Sequence, residues 1–418
     1  MHSIYNLFIA IYGAILRVAS LFSHKISTMC EGESKAFDVL SAIKPDDKVV
    51  WFHCASLGEF EQGRMLIESL KRQQPDFKIL LSFYSPSGYE VRKNYSYADW
   101  VVYLPNDTAA NARKFVSLAN PLLTFFVKYE FWYNYLIALE GRRVFQVSLI
   151  MRPKQYFFKP YGKWFAKMLK VFEHFFVQNE QTKDLLCSIG YDNVTISGDT
   201  RFDRVIEVAK NVKHFQCVDK FCQTNKKILL AGSSWDADEV ILKKATEGLN
   251  MKIIVAPHQT DTSHIERLKA LFPNAVLFSQ YAESDFQTDD LSSQNAELKL
   301  QNADVLIIDC IGILSHLYNC CDIAYIGGGF GAGIHNTLEA ATFGKPICFG
   351  KRYTHFQEAV DLVERKAAFS ISDAESLRSI LIRLNQDKDF YSHAADVSLS
   401  YTKEKAGACQ TILKYLNL

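Results

Sequence analysis

Beyond residue 45, short apolar runs alternate with amphipathic stretches along the chain. In the first half, these runs predict buried strands at KVVWFHCA (48–55), KILLSFY (78–84), WVVYLP (100–105), LLTFFVKY (122–129), RRVFQVSLI (142–150) and HFFVQN (174–179). Between the first two runs, GEFEQGRMLIESLKRQ has apolar residues at helical spacing. Strands that alternate with helices in this way are typical of βαβ units and a parallel sheet.

The alternation stops at a polar stretch over 206–226 and then restarts. Apolar runs in the second half predict strands at KILLAGSS, KIIVAPHQ, AVLFSQ, DVLIID, IAYIGGG and KPICFG. A polar stretch within this half, 279–303, is predicted to be a surface loop. We therefore predict two α/β domains at 29–205 and 227–395, with a linker over 206–226 and a closing C-terminal helix over 396–418.

The N-terminal segment is apolar. Residues 3–16 carry no charge, and Arg17 then interrupts the run. A spanning helix needs about 20 apolar residues, and a shorter run is more often interfacial or part of a core. A secretory signal is disfavoured because only Met1-His2-Ser3 precedes the run, without Lys or Arg. We predict a membrane-associated helix over 1–28 on the cytoplasmic face; the alternative is a hydrophobic helix packed on the domain.

The composition favours a globular protein with two cores and gives no sign of nucleic-acid binding or a zinc site. The chain has 418 residues, 48% of them hydrophobic and 22% charged, which suffices for two cores and excludes long disorder. Lys plus Arg is 47 and Asp plus Glu is 46, so no overall field favours nucleic acid. The 10 cysteines form no Cys-x-x-Cys pair, which argues against a zinc site or a disulfide framework and for a reducing compartment.

The segment 323–346 has the sharpest local pattern, a strand that runs into five glycines between 327 and 333. Glycine lets a backbone turn tightly near a ligand, and a helix predicted from about His335 would present N–H groups to phosphate. This is not a Walker loop, because Pro346 follows the Gly-Lys pair. Glu339 could accept hydrogen bonds from two ribose hydroxyls. The alternative is a glycine-rich turn between packed elements.

Two carboxylates follow predicted strands of the first domain. Ser56-Leu57-Gly58-Glu59 comes directly after the 48–55 strand and places Glu59 at the start of a helix, where α/β folds bind ligands. Such a carboxylate suits proton acceptance; the alternative is a Glu that serves only the helix N-terminus. Glu130 lies among aromatic residues after the 122–129 strand. It is either ion-paired with Lys128 or Arg143 or a site residue.

Five lysines interleave with aromatic residues in MRPKQYFFKPYGKWFAKMLKVFEH, residues 151–174. This composition fits an anionic membrane surface or an acidic lipid headgroup. The alternative is a solvated lysine face on a core helix. Nucleic acid would use similar residues, but the neutral overall charge argues against it.

Taken in order, these segments resemble the bacterial Kdo (3-deoxy-D-manno-octulosonic acid) transferases of lipopolysaccharide and lipid A biosynthesis. The matching stretches are WFHCASLGEFEQGRMLIESL, YLPNDT, PLLTFFVKYEFWYNYL, GDTRFDRV, AGSSWDADE, DCIGILSHLYNCCDIAYIGGGFGAGIHNTLEAATFGKPICFG and THFQEAVDL. The resemblance implies an α/β fold of the GT-B type. It further implies two Rossmann-like domains that face a central cleft, and an N-terminal membrane-associated helix.

The resemblance also implies roles for individual residues. Glu59 matches the family's general base, which takes a proton from the acceptor hydroxyl as that hydroxyl attacks the anomeric carbon of Kdo with inversion. Glu130 and Arg201 match residues that support the transition state. The contacts to the CMP sugar in the C-terminal domain would be Pro257, His258, Ile311, Gly312, Ile313, Asn336, Thr337, Leu338 and Glu339.

Three segments depart from the family's pattern. Pro257-His258-Gln259 stands for Pro-Arg-His, Ile311-Gly312-Ile313 for Met-Gly-Glu, and Arg201 for Lys. A guanidinium and a carboxylate near CMP are thereby lost, and the substitution of Arg for Lys keeps the charge but changes the geometry. Candidates to replace the lost groups are Lys351, Arg352 and His264.

We therefore expect an inverting glycosyltransferase that moves Kdo from CMP-Kdo to a lipid A precursor on the cytoplasmic face of the inner membrane. An anionic membrane surface is the expected partner; nucleic acid, a metal ion and a further cofactor are not expected. One alternative is another GT-B sugar-nucleotide enzyme, with a different donor or an epimerase activity. A non-catalytic membrane-bound nucleotide or lipid binder is disfavoured, because a binder needs no proton acceptor such as Glu59.

Overall fold

The computed structural model describes residues 2–281 and 291–418, with backbone alone over 291–296. The chain forms two compact units. The first comprises the chain through Arg204 together with Ala406–Leu418, and the second comprises Val205–Lys405. Each unit is built on its own parallel sheet, as the alternating pattern predicts.

The sheet of the first unit has seven strands in the order β3-β2-β1-β4-β5-β6-β7. The strands are β1 Lys48–Cys54, β2 Phe77–Phe83, β3 Trp100–Tyr103, β4 Leu123–Val127, β5 Val144–Leu149, β6 His174–Val177 and β7 Val194–Ile196. The helices along this part of the chain are α1 His2–Ala19, α2 His24–Leu40, α3 Leu57–Gln73, α4 Pro86–Arg92, α5 Ala109–Ala119, α6 Tyr133–Ala138, α7 Lys163–Met168, α8 Glu180–Ser188 and α9 Thr200–Lys210.

The sheet of the second unit also has seven strands, in the order β10-β11-β9-β8-β12-β13-β14. These strands are β8 Lys227–Ser234, β9 Met251–Pro257, β10 Val276–Leu277, β11 Val305–Ile307, β12 Ile323–Ile326, β13 Ile347–Gly350 and β14 Ala368–Ile371. The remaining helices are α10 Gln216–Cys222, α11 Asp236–Thr246, α12 Thr262–Leu271, α13 Leu291–Asn302, α14 Leu314–Leu317, α15 Leu338–Ala341, α16 Gln357–Glu364, α17 Ala374–Gln386, α18 Lys388–Lys405 and α19 Ala408–Tyr415.

Both faces of the first sheet are covered, which explains why its strands are apolar runs rather than alternating ones. On β1, Val49 and Trp51 pack into one core, and Phe52 and Cys54 pack into the core on the opposite face. His53 is the exception, a fully buried polar side chain within this strand. The apolar pattern did not predict β7 and β14. Each is a short edge strand that is only partly buried, so neither produces a continuous apolar run.

Two parts of the predicted domain layout differ from the structure. The stretch over 206–226 is not an open linker: α9 extends through it to Lys210, and α10 buries Cys217, Val218 and Phe221 within the second unit. The stretch over 396–418 is not one closing helix. It contains the end of α18, which belongs to the second unit, and then α19, which packs in the first.

The predicted surface loop over 279–303 is wrong from residue 291 onward, where α13 forms. Residues 282–290 of that loop lie outside the described residues. The helix expected from about His335 begins only at Leu338 and is four residues long. The glycine-rich segment is therefore followed by an irregular backbone and not directly by a long helix.

Helix α1 is apolar as predicted. Within the described chain, it is the helix that is long and apolar enough to cross a membrane by length and composition. It contacts the rest of the first unit on one side, where Tyr5 donates to Asp107 (2.5 Å) and Tyr12 accepts from Tyr84 (2.8 Å). Its other sides, with the turn that follows, expose large apolar residues: Ile4, Leu7, Phe8, Ile11, Ile15, Val18, Leu21 and Phe22.

Candidate active site

Glu59 lies at the carboxyl end of the first sheet, in the first turn of α3 directly after β1. Ser56 Oγ donates to its carboxylate, and Lys128 Nζ lies 3.9 Å from its Oε1. Lys128 follows β4, the neighbour of β1, and its φ of 68° is left-handed. A hydroxyl and an ammonium thus orient the side chain that the sequence predicts as the proton acceptor.

Glu130 lies two residues beyond Lys128 and has different partners. Trp132 Nε1 donates to its Oε2 at 2.7 Å, and His53 Nε2 lies 3.4 Å from the same oxygen. Lys128 contacts Glu59 instead, and Arg143 pairs with Glu173 at 2.8 Å. Neither ion pair considered from the sequence therefore holds Glu130 in the structure.

The two carboxylates converge on one point of the sheet. Burial raises the pKa of the Cys54 thiol well above its usual value, and the charges of Glu59 and Glu130 raise it further. Both carboxylates therefore lie close to the last residue of β1. Cys54 itself is fully buried and stays a thiol, so the chemistry available here is that of two carboxylates with unlike partners.

Arg201 is tied to the helix that carries Glu59. Its Nε donates to Asp199 Oδ2 at 2.8 Å, and Gln62 Nε2 donates to the same oxygen at 3.2 Å. Gln62 lies three residues after Glu59 on α3, so the two side chains share a helix face. The structure thus brings Glu59, Glu130 and Arg201 to the same edge of the first unit.

In the second unit, the glycine-rich segment follows β12 and is held by Asp238. This buried carboxylate accepts from Gly328 N (2.9 Å) and Tyr325 OH (2.7 Å), and burial raises its pKa. A Cβ on Gly327 would lie 2.2 Å from Ser233 O, and one on Gly329 would lie 2.6 Å from the backbone of Gly350. Close packing of strands thus requires at least two of these glycines. This agrees with the alternative prediction of a glycine-rich turn between packed elements.

The segment HNTLE (335–339) contains both buried and partly exposed residues. Thr337 and Leu338 are buried. Asn336 and Glu339 are partly exposed and hydrogen-bonded, with Asn336 Nδ2 donating to Glu339 Oε1 at 3.2 Å. Asn336 Oδ1 also accepts from Leu338 N at 3.0 Å, so this pair is held in place before any ligand binds.

A stack of three rings lies where the family's guanidinium is missing. His258 is 4.6 Å from both Trp235 and His335, ring centroid to centroid, and Trp235 Nε1 lies 3.1 Å from His335 Nε2. Burial lowers the pKa of His258, and burial with the neighbouring His258 lowers the pKa of His335 to about 4. These imidazoles are neutral at pH 7 and cannot replace a cation. Pro257, the residue before His258, is the buried end of β9.

The remaining predicted nucleotide contacts, Ile311-Gly312-Ile313, follow β11 at the same edge of the second sheet. Ile311 is 81% exposed and Gly312 has a left-handed φ of 93°, so a ligand can reach this turn. Of the candidate replacements, Arg352 is the one placed at the glycine-rich segment, where its guanidinium donates to Gly331 O. Lys351 is exposed beside it.

His264, the third candidate replacement, is already bound. It is buried, with Nε2 3.0 Å from Glu239 and Nδ1 3.1 Å from Asp236. These three side chains could hold a metal ion by their spacing. However, Arg267 Nη2 lies 3.0 Å from His264 Nδ1, so a cation already lies against this cluster. We interpret it as a satisfied ion-pair cluster and not as a ligand set.

Five residues at the carboxyl ends of the two sheets were not predicted from the sequence as parts of the candidate sites: His53, Asp199, Trp235, Asp238 and His335. His53 could have been noticed as a polar residue inside an apolar strand. Asp199 could not, because its partner Gln62 is 137 residues away in the chain.

Comparison with known proteins first defines the fold and the class of enzyme. The chain shares its fold with the UDP-GlcNAc 2-epimerase of Neisseria meningitidis (TM-score 0.61, 15% identity, 88% of this chain and 99% of that one). A glycosyltransferase from Rickettsia africae gives a TM-score of 0.54 at 13% identity, over 88% of this chain and 98% of that one. The predicted fold class, two Rossmann-like α/β units of the GT-B type, is confirmed. With the relatives below, the comparisons place the chain among the glycosyltransferases.

Within that class, the chain resembles the Kdo transferases, as predicted. Residues 32–204 match the family model of 3-deoxy-D-manno-octulosonic-acid transferase. The Kdo transferase of Aquifex aeolicus is 26% identical over 83% of this chain and 91% of its own length, and that of Haemophilus influenzae is 24% identical over 89% and 87%. A bifunctional glycosyltransferase/methyltransferase of Fusobacterium nucleatum is 26% identical over 82% of this chain, which spans 54% of that protein.

Proposed function

We propose that the protein transfers Kdo from CMP-Kdo to a hydroxyl of a lipid A precursor, at the cytoplasmic face of the inner membrane. The observation that carries this proposal is Glu59, a carboxylate oriented by Ser56 and Lys128 at the carboxyl end of β1. Several proteins that the chain resembles over most of its length are named Kdo transferases. A proton acceptor is what attack by a sugar hydroxyl requires.

In the proposed reaction, the acceptor oxygen forms a bond to the anomeric carbon of Kdo while the bond to the CMP phosphate oxygen breaks. The hydroxyl proton goes to Glu59, and the configuration at the anomeric carbon inverts. Arg201, fixed by Asp199, supplies positive charge on the same edge of the unit, and Glu130 supplies a second carboxylate. CMP leaves with its phosphate charge stabilised by donors and dipoles, so the proposal includes no metal ion and no further cofactor.

The donor nucleotide is assigned to the second unit. Glu339, held by Asn336, is placed to accept hydrogen bonds from the ribose hydroxyls. Arg352 at the glycine-rich segment and the exposed Lys351 are the cations that can take over from the missing family guanidinium. The stack of Trp235, His258 and His335 offers a neutral aromatic surface beside them.

The acceptor and the membrane are assigned to the first unit. The apolar residues that α1 exposes suit the acyl boundary of a bilayer. A cavity of about 310 Å³ between α6 and α7 is lined by Trp164, Lys167 and Lys170 among others, and the Trp164 ring lies 6.4 Å from Tyr5 of α1. Ammonium groups beside an apolar helix fit an anionic headgroup or the phosphate of a glycolipid.

The test compares two glutamates of α3. Glu59→Gln should lower kcat for Kdo transfer by about a hundredfold to ten-thousandfold, the contribution typical of a general base, and leave CMP-Kdo binding unchanged. Glu61→Gln is the matched control, because Glu61 lies on the same helix as Glu59 but pairs with Arg92 of α4 (2.9 Å), so this variant should leave kcat unchanged. Full activity of Glu59→Gln would contradict the proposal.

A second candidate function is a different sugar-nucleotide reaction, such as epimerisation, which the fold shared with the Neisseria epimerase favours. Competition among nucleotides separates the two candidates. The Kdo transferase proposal predicts that CMP displaces a fluorescent cytidine nucleotide better than UDP or GDP does. Preferential displacement by UDP would favour the second candidate.

A further inference from the structure

A buried polar chain lies beneath Glu130. His53 on β1 and Ser82 on β2 are both fully buried, and they are register partners in the parallel sheet. His53 Nδ1 lies 2.9 Å from Ser82 Oγ, and Trp51 Nε1 lies 2.8 Å from the same Oγ. Polar groups at such depth are costly unless hydrogen-bonded, so the direction of each bond is strongly constrained.

The indole sets that direction. An indole N–H can only donate, so Ser82 Oγ accepts from Trp51. The hydroxyl proton of Ser82 then has two acceptors within reach, His53 Nδ1 at 2.9 Å and Phe52 O at 3.5 Å. The shorter bond is favoured because hydrogen bonds weaken at the longer distance. Nδ1 of His53 is therefore an acceptor, and the ring carries its proton on Nε2.

That proton points to the candidate active site. Nε2 of His53 lies 3.4 Å from Glu130 Oε2, longer than the usual hydrogen-bond range of about 2.7–3.2 Å, and among the described residues this buried nitrogen forms no hydrogen bond. Trp132 Nε1 donates to the same oxygen at 2.7 Å. Edge contacts with the rings of Phe126 and Trp132 fix the imidazole, with centroids 5.7 and 5.9 Å away.

We propose that His53 is a positioning residue, which donates from Nε2 to Glu130 and fixes the orientation of its carboxylate. Trp51 and Ser82 lock the tautomer that makes this possible. With Oε2 held by two donors, Oε1 is the oxygen that can turn toward a substrate. The role of Glu130 in transfer rests on the proposed function, whereas the hydrogen-bond direction rests on the buried chain alone.

The tautomer is tested without any activity measurement. In the full chain labelled with 15N-histidine, two-bond 1H–15N spectra distinguish the protonated from the unprotonated ring nitrogen, and His53→Asn assigns the signal. We expect an unprotonated Nδ1 and a protonated Nε2, and we expect Ser82→Ala to populate the other tautomer. An Nδ1–H tautomer or an imidazolium in the wild-type protein would overturn the proposal.

Two variants test the positioning role. Gln at position 53 brings an amide N–H close to the place of Nε2, whereas Asn reaches only the place of Nδ1. We expect His53→Gln to keep kcat within about threefold and His53→Asn to lower it by roughly tenfold to a hundredfold, the range for a lost hydrogen bond to a charged group. KM for CMP-Kdo should not change in either variant.

His174 is the matched control, a buried histidine of the same sheet whose Nε2 contacts Thr195 (2.8 Å). Its Gln and Asn variants should leave kcat unchanged. Equal losses in His53→Gln and His53→Asn would overturn the positioning role. An Nε2–H tautomer in a folded protein that transfers no Kdo would support the hydrogen-bond direction and refute the proposed function, so the two failures are distinguishable.

Discussion

Glu59 and Glu130 lie at neighbouring strand ends, yet their surroundings give them different chemistry. Glu59 has a hydroxyl and a lysine ammonium beside it, while Glu130 is held by an indole and faces a buried imidazole. A carboxylate with a partly exposed ammonium beside it suits proton transfer. A carboxylate held by rigid aromatic donors suits a fixed electrostatic role.

Lys128 combines this chemistry with backbone strain. Its φ of 68° is a conformation that glycine adopts readily and lysine does not. Lys128→Gly should therefore raise the free energy of unfolding by up to about 1 kcal/mol, while kcat falls because Glu59 loses its ammonium partner. Urea unfolding and a Kdo transfer assay measure the two effects.

Lys366→Gly is the control for this prediction. Lys366 is exposed, follows α16 in the second unit and has a φ of 60°. The variant should gain similar stability and keep full activity. A loss of stability in Lys128→Gly, or unchanged activity, would contradict the role assigned to this lysine.

At the scale of single residues, it was easier to predict which side chains lie together than which groups hold them. Glu59 and Glu130 were identified from the residues and the resemblance, and Arg201 from the resemblance alone; all three lie at one edge of the first unit. Their long-range partners could not be predicted, because Lys128 reaches Glu59 from the end of β4 and His53 reaches Glu130 from β1. Which strands become neighbours is decided by packing of the whole sheet.

At the scale of elements, α1 is the clearest case of a helix with two environments. One side is fixed by Tyr5 and Tyr12, and the others expose large apolar side chains. The apolar run predicted the helix, but only the structure shows which residues point away from the protein. In the glycine-rich segment, the pattern predicted phosphate binding, and the structure adds a packing requirement for Gly327 and Gly329 that the pattern does not reveal.

The exposed apolar residues of α1 give a direct prediction for membrane association. Leu7→Glu combined with Ile11→Glu places two charges at positions that are 62% and 52% exposed, so folding should be unaffected. Co-sedimentation with vesicles of phosphatidylglycerol and phosphatidylethanolamine should fall at least tenfold, since a buried leucine or isoleucine contributes about 1.5–3 kcal/mol.

Leu122→Glu is the control, because Leu122 is 48% exposed and lies before β4, away from α1. This variant should bind vesicles like the wild-type protein. Equal binding by the α1 variant would show that this helix does not carry the membrane contact.

At the scale of the whole molecule, the chain finishes in the unit where it began. After α18, Gly407 N and Cys409 N donate to Asp203 (2.5 and 2.7 Å), and α19 buries Ile412, Leu413 and Leu416 in the first unit's core. The sequence predicted a closing helix but not its break at residues 406–407. Because α19 packs against α3, it also supports the helix that carries Glu59.

This packing predicts how the first unit loses stability. Ile412→Ala should lower its free energy of unfolding by about 2–5 kcal/mol, the usual cost of truncating a fully buried isoleucine. Trp51, Trp100, Trp132 and Trp164 lie in the first unit and Trp235 in the second, so urea unfolding of a Trp235→Phe background reports on the first unit alone. Lys414→Ala, an exposed position of α19, is the control and should leave the transition unchanged.

A mass spectrum of a lipid A precursor, taken after incubation with the protein and CMP-Kdo, is the sharpest test of the proposed function. We expect a mass gain of one or more Kdo units, which also counts the transfers, and no gain with Glu59→Gln. No gain with wild-type protein that is folded and binds CMP would contradict the assignment of the acceptor. A gain that persists in Glu59→Gln would contradict the assignment of the base.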